Sequence, residues 1–135
     1  MKTFVASKIH NIHVTHKSVE YVGSIGVDSV LLEESGIDPY EQVHAINLHN
    51  GERWVTYAIP ADKGVFSLNG GSARLGELGD PCVILTYEQT PKFSGAVVVY
   101  CTEQNDIEHL LRYTSQVTQS PEGDKLVPGS EESRR

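Results

Sequence analysis

Short runs rich in Val, Ile and Tyr are cut by turn residues at close intervals, and some of these runs alternate apolar and polar residues with a period of two. That pattern predicts short strands rather than long helices. Residues 3–6 and 12–15 read as two early strands. Residues 43–48 place Val43, Ala45 and Asn47 on one face and His44, Ile46 and Leu48 on the other. Asn50-Gly51 follows, a pair that tolerates the positive φ angles of a two-residue type I′ hairpin turn. The returning strand, 53–59, sets Arg53, Val55 and Tyr57 on one face and Trp54, Thr56 and Ala58 on the other. Further strands are expected at 65–68, 82–87 and Ala96–Cys101, with Pro81 marking a strand start. Helix signals are brief. Asp28 is a cap for Ser29–Ser35, with Gly36 as the stop and Val30, Leu31 and Glu34 as the inner edge. Residues 106–112 read as a second short helix with Ile107, Leu110 and Leu111 inward. The predicted fold class is mainly β, a small barrel with short helices, because closure removes exposed strand edges.

At 135 residues the chain suits one compact domain. Its hydrophobic share of 39% allows a modest core, and oligomerisation would help to cover what that core leaves exposed. The formal net charge is -7, with Lys and Arg scattered rather than striped, which argues against a nucleic-acid partner. No apolar run approaches the roughly 18 residues of a membrane span. Met1 to Lys8 lack the apolar stretch of a signal peptide. A cytoplasmic location with no membrane partner is therefore expected. Cys82 and Cys101 have neither paired spacing nor a secretory context and read as free thiols. After Tyr113 the chain turns polar and carries Pro121, Gly123, Pro128 and Gly129. The expected organisation is a domain over 1–113 and a disordered tail over 114–135.

Candidate chemistry is sparse on composition alone. His10, His13 and His16 are spaced by three, which would cluster them on a helix. On strands His13 opposes the other two, and no Cys or carboxylate set completes a metal site, so no metal is expected. The run Asn69-Gly70-Gly71-Ser72-Ala73 lacks the Lys-Ser/Thr ending of a phosphate loop and reads as a turn where backbone approaches backbone. Its N–H groups could serve a substrate as donors. Gly-Ser occurs at 23–24, 71–72 and 129–130, and such dipeptides are common turn elements. Taken alone, Ser24 carries no special role. No nucleophile-elbow motif is present.

Larger blocks carry more. Lys8-Ile9-His10-Asn11-Ile12-His13-Val14-Thr15-His16 is followed by Glu20-Tyr21-Val22-Gly23-Ser24-Ile25-Gly26-Val27-Asp28. Then come Leu31-Leu32-Glu33-Glu34-Ser35-Gly36-Ile37, Asn50-Gly51-Glu52-Arg53-Trp54-Val55-Thr56-Tyr57-Ala58-Ile59, and Ser67-Leu68-Asn69-Gly70-Gly71-Ser72-Ala73-Arg74 with Gly79-Asp80. In order and spacing these resemble the bacterial aspartate 1-decarboxylase family, from about Lys2 to about Tyr87 and more weakly to about Tyr100. The resemblance implies a double-psi β-barrel, assembled as a homotetramer with sites between neighbouring subunits.

It also implies a chemistry. The chain would cut itself between Gly23 and Ser24, with Thr56 assisting, and Ser24 would become a pyruvoyl group. Aspartate would condense with that ketone as a Schiff base, lose its α-carboxylate and leave as β-alanine, a precursor of pantothenate and coenzyme A. Neither a metal nor PLP is implied. By the same resemblance Arg53 and Lys8 would hold the two substrate carboxylates and Tyr57 would return a proton to carbon. Asn69, Gly70, Gly71, Ser72 and Ala73 would line the pocket, and His10 and Tyr21 would support processing. Arg53 and Tyr57 share a predicted strand face, as a joint role requires. The chain departs from the family at Gly71-Ser72-Ala73-Arg74, where many members are alanine-rich, and at Ile46, where some carry tryptophan. Two alternatives remain at this stage: a non-catalytic barrel that binds a partner, and a pyruvoyl decarboxylase for another amino acid.

Overall fold

A computed structural model describes residues 1–125 and 132–134. In chain order the elements are β1 (Lys2–His13), β2 (His16–Ser18), β3 (Ile25–Asp28), α1 (Ser29–Ser35), β4 (Gln42–Asn47) and β5 (Arg53–Ala61). They continue with β6 (Phe66–Asn69), a 3₁₀ turn (Gly70–Arg74), β7 (Pro81–Thr90), β8 (Ala96–Cys101) and β9 (Ile107–Tyr113). The last are β10 (Thr118–Ser120), β11 (Gly123–Lys125) and β12 (Glu132–Arg134). The class is mainly β, as the alternation predicts.

Ten strands form one sheet in the order β12-β9-β8-β1-β7-β4-β5-β3-β6-β2, and β10 pairs with β11 alone. From β8 to β6, six strand spacings would spread a flat sheet over about 29 Å. Yet Val99 and Cys101 of β8, Ile9 and Ile12 of β1, Ile84 of β7, Val43 of β4, Ala58 of β5, Val27 of β3 and Phe66 of β6 belong to one buried cluster. Strands that far apart share a core only if the sheet curls on itself, which is barrel geometry. Helix α1 contacts β1, β3, β5 and β8 and adds Leu31 and Leu32 to the same core. The Ser7 hydroxyl ties β1 to its end by donating to the Ser35 carbonyl at 2.7 Å.

The structure corrects several local expectations. The two early strands are one, β1, because Asn11 at φ 68° absorbs an irregularity between His10 and Ile12 without ending the ladder to β7. The Asn50-Gly51 hairpin exists, but its turn is longer than two residues and only Gly51 has positive φ. Asn47 Oδ1 accepts from the His49 and Asn50 N–H groups and shapes that turn instead. In α1 the buried residues are Leu31, Leu32 and Ser35, whereas Val30 is 48% exposed. The predicted helix at 106–112 is strand β9, antiparallel to β8 from Ala96↔Tyr113 to Cys101↔Ile107. Ile107, Leu110 and Leu111 fit either period, and the unpaired edge of β8 decides for the strand. Asn105 at φ 64° makes the reversal between them. Glu20, Tyr21 and Val22 form an exposed turn. In the polar segment from 114, the described strands are β10, β11 and β12, the last pairing with β9; residues 126–131 and 135 lie outside the described residues.

Two features of this frame are testable. Asp28 is 2% exposed, and its carboxylate accepts from the Val30 N–H at 2.8 Å and the Gly64 N–H at 2.8 Å, capping α1 and pinning the loop before β6. Asp28→Ala is expected to lower the unfolding free energy by about 2–3 kcal/mol, seen as a lower urea midpoint with unchanged slope. Cys82 and Cys101 lie in the core, and burial pushes both thiols up to about 12, with nearby carboxylates adding to the effect. Near neutral pH the folded protein is therefore expected to resist thiol reagents, and both cysteines should react only after denaturation. Rapid labelling of the native state would contradict this placement.

Candidate active site

Strand β3 begins at Ile25, opposite Ala58 of the parallel strand β5. The first half of β5, from Arg53 to Tyr57, pairs with β4 on one side only. Its other edge faces the segment that enters β3, and Gly23 and Ser24 sit there. Gly23 has φ 21° and Ser24 has φ 81°. A positive φ on a serine is strained by about 1–3 kcal/mol and persists only where the surroundings enforce it.

The enforcing contacts come from the turn after β6. The Asn69 N–H donates to the Ser24 carbonyl at 3.0 Å, and the Asn69 amide donates to Ser24 Oγ at 3.5 Å. A Cβ at Gly70 would lie 3.1 Å from both Cα and N of Gly23 and 3.2 Å from the Tyr21 carbonyl oxygen, so only glycine lets the turn come this close. On the other side the Tyr57 hydroxyl lies 3.4 Å from where a Gly23 Cβ would be. Tyr57 itself stacks on Tyr40 with ring centroids 6.2 Å apart.

An open cleft of about 390 Å³ lies over this point, with Ser24, Trp54, Thr56, Asn69, Gly71 and Ser72 among its lining residues. Ser24 is 4% exposed at its floor. Ser24 is thus a buried hydroxyl on strained backbone, next to glycine and within hydrogen-bond distance of the Asn69 amide. Among the described residues no three His, Cys, Asp or Glu side chains gather as metal ligands.

Of the residues singled out from sequence, Gly23, Ser24, Thr56, Tyr57, Asn69, Gly70, Gly71 and Ser72 come together. Ala73 turns into the core instead. Arg53 lies on the same strand, exposed, its guanidinium donating to the Tyr87 hydroxyl at 3.1 Å. Tyr21 is 61% exposed, and its carbonyl oxygen lies 3.2 Å from where a Gly70 Cβ would be. Lys8 and His10 are elsewhere. Lys8 lies on β1 with its ammonium 5.9 Å from the Tyr113 ring centroid, and it lines a different cleft with Phe93 and Val117. His10 packs against Tyr100, which stacks on His109. Pairing Lys8↔Leu85, Leu85↔His44 and His44↔Val55 puts Lys8 three strands from the cleft, about 14 Å along the sheet.

Sequence reasoning overlooked Trp54, Val55 and Leu75 as cleft residues, and Tyr87 as the partner of Arg53. The period-two rule contained one hint, since Trp54 shares a strand face with Thr56.

Comparison with known proteins agrees with this arrangement. A model of the family described as aspartate decarboxylase matches residues 1–108. An aspartate 1-decarboxylase of Acaryochloris marina is 49% identical over 114 residues, covering 79% of this chain and 87% of the relative. One from Trichormus variabilis is 42% identical over 125 residues, covering 87% of this chain and 98% of the relative. A third, from Thermosipho africanus, is 44% identical over 105 residues, covering 75% and 88%. The family match takes in β1 to β8, the 23–24 segment and the 69–74 turn together, and the chain belongs to the aspartate decarboxylase family.

Proposed function

We propose that this chain is an aspartate 1-decarboxylase that first cuts its own backbone between Gly23 and Ser24. The observation that carries the proposal is Ser24 itself, buried at φ 81° beneath the cleft with Asn69 on its hydroxyl and carbonyl. Ser24 Oγ attacks the Gly23 carbonyl carbon and turns the amide into an ester. Thr56, on the cleft wall, donates to the oxygen as it becomes negative. Loss of the Ser24 α-proton then expels the ester as the new carboxylate of Gly23. Water replaces the nitrogen of the remaining dehydroalanine, which leaves as ammonia.

The ketone left at position 24 supplies an electrophile for an amine and a sink for the electrons released with carbon dioxide, so the reading needs neither a metal nor PLP. The protein's own side chains do the rest. Arg53 spends one N–H on Tyr87 and has other N–H groups for a substrate carboxylate. Tyr57, whose hydroxyl already lies over Gly23, returns the proton to carbon after decarboxylation. The second carboxylate calls for Lys8, which in this chain lies three strand spacings from the cleft along the sheet. A neighbouring copy then supplies it, consistent with a cytoplasmic homotetramer whose sites lie between subunits. The product is β-alanine, for pantothenate synthesis.

Intact mass measurement should find two pieces, 1–23 and 24–135, the larger one lacking a free amine at its start. Ser24→Ala should stay in one piece and release no carbon dioxide from aspartate. An uncut chain with an ordinary serine that still made β-alanine would overturn the mechanism, and a panel of amino acids would expose a different preferred substrate. Arg53→Ala should still yield both pieces but lose roughly 10- to 100-fold in kcat/KM for aspartate. Tyr57→Phe should lower kcat by about 100-fold or more.

A further inference from the structure

We propose that Trp54 and Ser72 form a positioning pair for self-cleavage, an inference that rests on the processing reading above. Their hydrogen bond holds the Gly70–Arg74 turn against β5, and that turn is the surface on which Gly23 lies.

The Trp54 indole Nε1–H donates to Ser72 Oγ at 3.0 Å. An indole nitrogen only donates, so the hydroxyl oxygen is its acceptor. Ser72 is 6% exposed and Trp54, partly buried, packs against the core, so both partners are held in place by their surroundings. The turn has other anchors at its ends. At its start, Asn69 bonds to Ser24. Past its finish, the Leu75 carbonyl accepts from the Asn47 and Asn50 amides, each at 3.1 Å. Between those anchors the Ser72 hydroxyl is the side-chain tie from the turn to β5. Its placement matters because the turn lies so near Gly23 that a Cβ added at Gly70 would meet Gly23 Cα and N at 3.1 Å. Trp54 and Thr56 share a strand face, so one bond also fixes the turn relative to the hydroxyl that assists the cut.

The test follows the first-order cleavage of freshly purified precursor by intact mass, at a temperature where every variant is folded. Ser72→Ala and Trp54→Phe are each expected to slow cleavage roughly three- to tenfold, the loss of about one hydrogen bond in the transition state. The double variant should be no slower than the slower single, because both changes break the same bond. Ser72→Thr, which restores a hydroxyl, should recover most of the rate. The protein has 1 tryptophan, so one indole N–H resonance reports the bond directly and should move upfield in Ser72→Ala. Wild-type cleavage with an unaffected Ser72→Ala rate, or single effects that multiply in the double variant, would overturn the pair alone. A wild-type chain that never cleaves would overturn the processing reading and the pair with it.

Discussion

The hydrogen bond from the Asn69 N–H to the Ser24 carbonyl, 3.0 Å long, joins two parts of the fold with different demands. On one side is β3, whose residues Ile25 to Asp28 are all buried and paired to β5 and β6. On the other is a turn that must come within van der Waals distance of Gly23. Were that bond absent, Ser24 could relax to an ordinary negative φ and the chain would enter β3 without strain. With it, the strain is held at one peptide bond, beside the open edge of β5 where donors can reach. A buried hydrogen bond and the pairing of β3 together supply enough free energy to offset about 1–3 kcal/mol of backbone strain.

How much of this could be read from residues depends on how local each feature is. The α1 cap was legible because Asp28 and Gly36 act within one helical turn of their targets, and the structure shows both acting as cap and stop. The faces of β4 and β5 were legible because the barrel interior selects one side of each strand. Strand β9 was not, since Ile107, Leu110 and Leu111 suit a helix equally well and only the waiting edge of β8, a non-local partner, decides. The site divides in the same way. Arg53, Thr56 and Tyr57 lie on one short strand, so their proximity to each other is a local fact. Their proximity to Ser24 is a product of parallel pairing between β3 and β5, which periodicity cannot express; only the resemblance of the separate blocks pointed to it. The resemblance implies Ser72 as a pocket residue, and it does line the cleft; its bond to Trp54 is a non-local contact that the sequence does not express.

The arrangement of cations follows from the same topology. Arg53 lies beside the cleft on β5, and Lys8 lies on β1, with β7 and β4 between them. On the proposed reading a dicarboxylate substrate takes two cationic contacts, and this strand order sets Arg53 on the strand that pairs with β3 and Lys8 three strand spacings further on. Net charge of -7 gives no general attraction for an anionic substrate, so placed cations have to do the holding. On the proposed reading, the call for a second copy therefore rests on strand order.

Cutting the chain between 23 and 24 need not weaken the barrel, and the reason lies in where its cohesion comes from. The first piece would carry β1 and β2. Strand β1 is paired along its length to β7 and in part to β8, and β2 is paired to β6. Ile9 and Ile12 from that piece are fully buried in the common core. In contrast, Val19, Tyr21 and Val22, just before the cut, are 50%, 61% and 80% exposed and contribute little burial. On the proposed reading the bond to be cut thus lies just after a segment with little apolar burial, between two regions held by strand ladders. Release of the strain at Ser24 would favour the cut, while pairing would retain the severed piece.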